Sequence, residues 1–208
     1  MSPLSTSAVQ GQTAKRSRKT PAQRRAELVD AAAEVFMEKG YAEATVSDIT
    51  SRAGSSHGTF YVYFDSKEDI FDAVAQDRVV LAFDAVKKHA DQADRPAIER
   101  IREILKMNSE PEVSGWWVDE FNRSHLTHLR ARLVQKASEM FLPVLSSLLK
   151  EAVTEGSIEI PVPDATAAFL IAAGLMQRLG LEATSSVTDE QWALAYDDLA
   201  ERVLGLKD

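Results

Sequence analysis

Cysteine is absent from the 208 residues, which excludes disulfides and thiolate metal ligands and suits a reducing compartment. Histidine is scarce. There are four, and the pair His125 and His128 has no further histidine or carboxylate at the spacing that closes a zinc site; they read as solvated surface side chains, with no metal. No apolar run approaches the roughly 20 residues needed to span a bilayer, and the first residues lack the apolar core of a secretion signal. A cytoplasmic protein that does not enter membranes is expected. Strand-like alternation, internal repeats and sustained heptads are missing. So are the arrangements that carry catalysis: a serine flanked by nucleophile-elbow glycines, a glycine-rich phosphate loop, a close carboxylate pair in a defined environment. The acids read as charges that solubilise helices, and neither an enzyme nor a cofactor is expected.

Acidic residues are also absent before Glu27, and here the absence exposes something present. Lys15, Arg16, Lys19, Arg18, Arg24 and Arg25 crowd that stretch, on a chain whose formal charge is −8. Up to residue 70 there are nine basic and nine acidic side chains; beyond it there are fifteen and twenty-three. A neutral head with a cationic arm precedes an acidic body. The body repels DNA, so any DNA contact falls to the head.

Helical spacing runs through the rest. Leu28, Ala32, Val35 and Phe36 share a face, and Gly40 is the expected stop. Thr45 and Asp48 form the ends of a capping box for a short helix with Val46, Ile49 and Ala53 on its inner side. Ser55–Phe64 follows, with Ser56, Phe60 and Phe64 expected inward and Ser55, Gly58, Thr59 and Val62 outward. Ser66 caps a fourth helix carrying Ile70, Phe71, Val74 and Leu81. A helix starts near Pro96, Pro111 interrupts, and an aromatic segment covers Val113–Phe121. A long helix runs from about His125 to Glu155, where Pro143 should kink it. Asp164 is expected to cap an alanine-rich helix reaching about Glu182. Thr188 and Gln191 form the capping box of the last helix, with Trp192, Ala195, Tyr196, Leu199, Val203 and Leu206 as its stripe. The fold class is all-α, with about nine helices.

Helix, glycine, short helix, glycine-containing turn, short helix is the helix-turn-helix plan. Gly58 costs helix propensity, about 1 kcal/mol against alanine; close approach to DNA or a loose first turn would each account for it. The stretch Thr45–Phe71, with its core Gly-Thr-Phe-Tyr-Val-Tyr-Phe-Asp-Ser-Lys-Glu (Gly58–Glu68), resembles the N-terminal DNA-binding domain of the TetR family of bacterial transcriptional regulators. That resemblance implies an N-terminal three-helix DNA-binding domain followed by a larger helical ligand-binding and dimerisation domain. The expected division is a disordered basic arm over 1–20, the helix-turn-helix domain over 21–68, and the effector-binding and dimerisation domain over 69–208.

Carried over by position, the resemblance implies that Thr45 meets a phosphate and Ser47 reaches the groove. Ser56, His57, Gly58, Thr59, Tyr61, Val62 and Tyr63 fall on the recognition helix, where Val62 could touch a thymine methyl. Lys67 implies a phosphate contact at the start of the fourth helix. The family often carries lysine where this chain has His57 and histidine where it has Val62. This recognition helix is therefore less cationic than usual, and the basic arm is either its supplement on DNA or a solvated tail.

For the second part the resemblance implies a homodimer through the last two helices, reading a palindromic operator in double-stranded DNA. It also implies a small-molecule effector. Ala167, Ala168, Ala172, Ala173 and Gly174 permit close helix approach. Met107, Trp116, Trp117, Phe121, Phe141 and Met176 are the candidate ligand contacts, and their character favours a hydrophobic effector. The expected function is a repressor released from its operator by that effector; a sequence-tolerant architectural DNA-binding protein without an effector is the alternative.

Overall fold

A computed structural model describes residues 19–109, 111–123, 126–178 and 188–205. Among them run nine helices and no strand: α1 (Pro21–Glu43), α2 (Val46–Arg52), α3 (His57–Tyr63), α4 (Lys67–Ala90), α5 (Ala97–Ser109), α6 (Pro111–Arg123), α7 (Thr127–Thr154), α8 (Pro163–Arg178) and α9 (Asp189–Val203). The start of the basic arm, His125, Leu206 and the expected end of α8 near Glu182 lie outside the described residues.

Local chemistry fixes most helix starts. Thr20 and Gln23 form a capping box at α1, with Pro21 in the first turn, and Thr188 with Gln191 does the same for α9. Ser56 and Ser66 each accept a backbone N–H three residues on, opening α3 and α4. The cap role corrects the expectation that Ser56 points inward: it is exposed. The helical run does stop at Gly40, whose backbone at φ 76, ψ 164 is not helical; a short turn to Glu43 completes α1 beyond it. One further expectation changes. Asp164 follows Pro163 inside the first turn of α8 and pairs with Lys150 at 2.6 Å.

Two apolar clusters form. The first joins α1–α4 through Phe36, Phe60, Phe64 and Phe71, all nearly inaccessible, and extends to Trp117 of α6 and Leu129 and Leu133 of α7. Burying each phenylalanine contributes about 2 kcal/mol. The second joins the end of α4, at Ala90, to α5, α7, α8 and α9. Helices α4 and α7 serve both, which fixes the head against the body. Their shared seam carries a polar ladder one helical turn per rung: Glu68 with His128 at 2.5 Å, Asp72 with Arg132 at 3.4 Å, and Lys136 donating to Gln76 at 3.5 Å. Leu81 of α4, expected inside, is half exposed. Pro143 lies within α7 without dividing it.

The body has its own long-range polar ties. Buried Arg100 donates to the carbonyl of Ala90 at 2.8 Å and pairs with Glu151. Glu155 accepts from the N–H of Ala97 at 3.0 Å, capping α5 from the end of α7. Along α9, Tyr196 and Ala200, with Leu204 just past its end, are the buried stripe, whereas Leu199 and Val203 face outward; the side chain of Trp192 is outside the described set.

Candidate nucleic-acid interface and effector cavity

Helices α2 and α3 have seven residues each, too short to persist alone. Ile49 and Phe60 anchor them in the first cluster. With Phe60 inward, the opposite side of α3 presents Tyr61 and Val62, 56% and 74% exposed. His57 and Gly58 are exposed too, and Thr59 is half exposed. Tyr63 packs on the cluster edge. The Ser56 and Thr59 hydroxyls lie 2.9 Å apart, and Thr50 of α2 reaches His57 Nδ1 at 3.4 Å, so α2 orients the first turn of α3. A Cβ built on Gly58 would meet only the Ser56 hydroxyl, at 3.8 Å. Nothing among the described residues requires glycine there.

At the start of α2, Thr45 accepts from the N–H of Asp48 at 3.1 Å and donates to its carboxylate at 2.7 Å. Lys39 binds the other oxygen at 2.7 Å. These bonds, Lys39 foremost, hold the Asp48 carboxyl down at about 2. Ser47 is exposed beside them. Arg52 at the far end pairs with Glu38 at 2.6 Å and Glu34 at 2.8 Å, tying α2 to α1.

Lys67, at the start of α4, is engaged within the chain. Its ammonium donates to the carbonyls of Tyr41, Ala42 and Ala44 at 2.6, 3.1 and 2.9 Å, and it sits 4.5 Å over the Tyr41 ring. All three of its hydrogens are directed at the end of α1. Three residues of the basic stretch are likewise engaged within the chain. Lys19 and Arg24 pair with Glu27, and Arg25 lies 4.9 Å over the Phe64 ring.

Glu120 is the functional candidate that sequence reasoning passed over as a solubilising charge. It is 8% exposed. One oxygen accepts the N–H of Tyr41 at 2.6 Å, and the other pairs with Arg123 at 3.2 Å. Its position in α6 carried no signal, because its partner stands 79 residues away.

In the body, α4–α9 line an apolar cavity of about 140 Å³ that opens to solvent. Met107, Trp117 and Phe141 line it, and Phe83 meets Phe141 edge-on at 5.4 Å. The Tyr196 hydroxyl and the Trp117 indole are the polar groups on its lining side chains. Trp116 packs against the first cluster instead. Met176 lines a second groove between α7 and α8 beside Arg130. The Phe121 side chain lies outside the described set. Residues unanticipated from sequence, Ile104, Leu133 and Leu170 among them, complete the wall.

Residues 28–74 match the family model described as "Bacterial regulatory proteins, tetR family". The chain is similar to the HTH-type transcriptional regulator YvdT of Bacillus subtilis, 40% identical over 67 residues, covering 31% of this chain but 34% of that one. It is also similar to the HTH-type transcriptional repressor DhaR of Mycobacterium sp. strain GP1, 26% identical over 181 residues, covering 84% and 91% of the two chains. In fold it resembles the crystal structure of the transcriptional regulator FadR of Bacillus subtilis in complex with stearoyl-CoA. The TM-score is 0.56 at 20% identity, with 88% of this chain and 99% of that one covered.

Proposed function

We propose, for a chain that belongs to the TetR family of bacterial regulatory proteins, that it is a repressor released from a palindromic operator by a hydrophobic small molecule. The observation that carries the reading is the outward side of α3. A short helix, fixed from behind by Phe60, holds out Tyr61 and Val62, both largely exposed, with an open glycine beside them. Aromatic, hydroxyl and β-branched groups on such a face suit base edges and thymine methyls. Residues 21–68 form the DNA-binding head, with Thr45 and Ser47 toward phosphate and His57, Gly58, Thr59, Tyr61 and Val62 toward the groove. Tyr63 and Lys67 support that surface from its edge and from behind. Residues 69–208 bind the effector and dimerise through α8 and α9.

The cavity supports an effector with a long apolar part, since among the described residues its wall is apolar apart from the Tyr196 hydroxyl and the Trp117 indole. A fatty-acyl compound is the class we place first, in keeping with the ligand of the fold neighbour FadR. Release requires the effector to bind the DNA-free arrangement more tightly than the DNA-bound one.

Binding-site selection on genomic fragments tests the reading, followed by Gly58→Ala and Tyr61→Ala on the selected duplex. Gly58→Ala is expected to stabilise the protein by up to about 1 kcal/mol while weakening operator binding, because the added methyl stands between α3 and DNA. Tyr61→Ala should change the ranking of operator variants. Uniform weakening across all sequences would instead favour the architectural binder.

A further inference from the structure

One short segment, Gly40–Ala44, joins α1 to the DNA-binding pair α2 and α3, and it is held from two sides. Lys67 at the start of α4 takes its carbonyls. Glu120 of α6 takes the N–H of Tyr41. Residue 40 has the backbone φ 76, ψ 164, which essentially only glycine adopts. That turn aims the Tyr41 N–H out of α1, and a Cβ at residue 40 would stand 3.5 Å from the Glu120 carboxylate. Three residues before Glu120 on the same helix face is Trp117, whose indole is both part of the cavity wall and part of the cluster under the head.

We infer that Glu120 is the positioning residue through which cavity occupancy reaches the DNA-binding head: a ligand that displaces Trp117 turns α6, and Glu120 carries that displacement to Tyr41 and the entry of α2. A buried carboxylate is costly to leave unpaired. Glu120 therefore keeps the Tyr41 N–H and drags the segment with it, which alters where Thr45 and α3 stand relative to DNA; without Glu120 the segment stays held by Lys67. The ring of Tyr41, packed on Phe36 and Phe71 at 5.8 and 4.8 Å, makes the segment move as a unit with the head's core. The inference rests on reading the cavity as the effector site.

The chain's lack of cysteine permits a test that needs no effector. Ala82→Cys places one thiol in the cavity wall, and octyl methanethiosulfonate attaches an eight-carbon chain there. In the full-length Ala82→Cys protein, labelling is expected to weaken binding to the selected duplex at least tenfold. With Glu120→Ala added, the effect should fall below twofold while unlabelled binding stays within about threefold. Glu120→Gln keeps an acceptor oxygen and should restore at least half of the response on a logarithmic scale. A full response in a folded Glu120→Ala protein would overturn the relay and leave the cavity reading intact, as would a response in Glu120→Gln as small as in Glu120→Ala. No response in the parent would overturn the cavity reading and the relay together. If Glu120→Ala does not fold, amide hydrogen exchange in the Ala82→Cys protein decides: label-induced change at residues 40–45 supports the relay, and unchanged exchange there alongside weakened DNA binding overturns it.

Discussion

Lys67 shows how one side chain changes meaning once its neighbours are placed. A lysine at the start of a helix beside a helix-turn-helix suggests a phosphate ligand, yet its three hydrogens reach three carbonyls at the end of α1. Those carbonyls belong to the segment left without intrahelical donors by the Gly40 bend, so the ammonium satisfies groups that would otherwise need water. Lys67→Ala is expected to destabilise the protein by about 1–3 kcal/mol, measured by urea unfolding. Operator affinity should fall for all sequences alike, with the salt slope of binding unchanged. A slope reduced by about one unit would show instead that the ammonium binds phosphate in the complex. Tyr41 belongs to the same knot. Burial first, and then the charge of Glu68, push its phenol up, so it remains a neutral packing group.

At the scale of elements, α2 and α3 depend on their caps. Thr45 and Asp48 were legible as a box because capping acts across three residues, and the structure has both reciprocal bonds. Lys39, nine residues away, adds the largest share of the Asp48 shift and was not legible. Because the folded carboxyl titrates near 2 and an unfolded one near 3.9, its stabilisation is present above about pH 4 and is lost as pH falls toward 2. The gap in urea midpoint between the parent and Asp48→Asn should therefore be constant from pH 5 to 8 and close below pH 4. A gap that varied between pH 5 and 8 would assign the effect to another group. The cavity was partly legible in the same way. Met107, Trp117 and Phe141 lie on apolar faces, but which aromatic turns to the cavity depends on helix rotation: Trp117 lines it, while its neighbour Trp116 packs on the first cluster.

At the scale of the whole molecule, half of the large apolar side chains exposed among the described residues lie on the last two helices. Phe169 and Met176 on α8, and Leu194, Leu199 and Val203 on α9, are all exposed, Leu199 by 51%. Such a face is the kind an isologous dimer covers, and a dimer would set two α3 helices toward successive major grooves about 34 Å apart. Leu199→Glu is expected to shift the protein from dimer to monomer in analytical ultracentrifugation and to weaken palindrome binding at least tenfold; an unchanged dimer would move the interface elsewhere. Helix periodicity, caps, charge polarity and the Gly58–Glu68 motif follow from interactions spanning three or four residues, and local spacing in the chain was sufficient to establish them. Which apolar faces of α9 turn inward, which tryptophan meets the cavity, and the convergence of Lys67 and Glu120 on Tyr41 from 26 and 79 residues away were decided by packing. Those contacts bring together groups whose separation along the chain carries no periodic signal, so only the folded arrangement determines them.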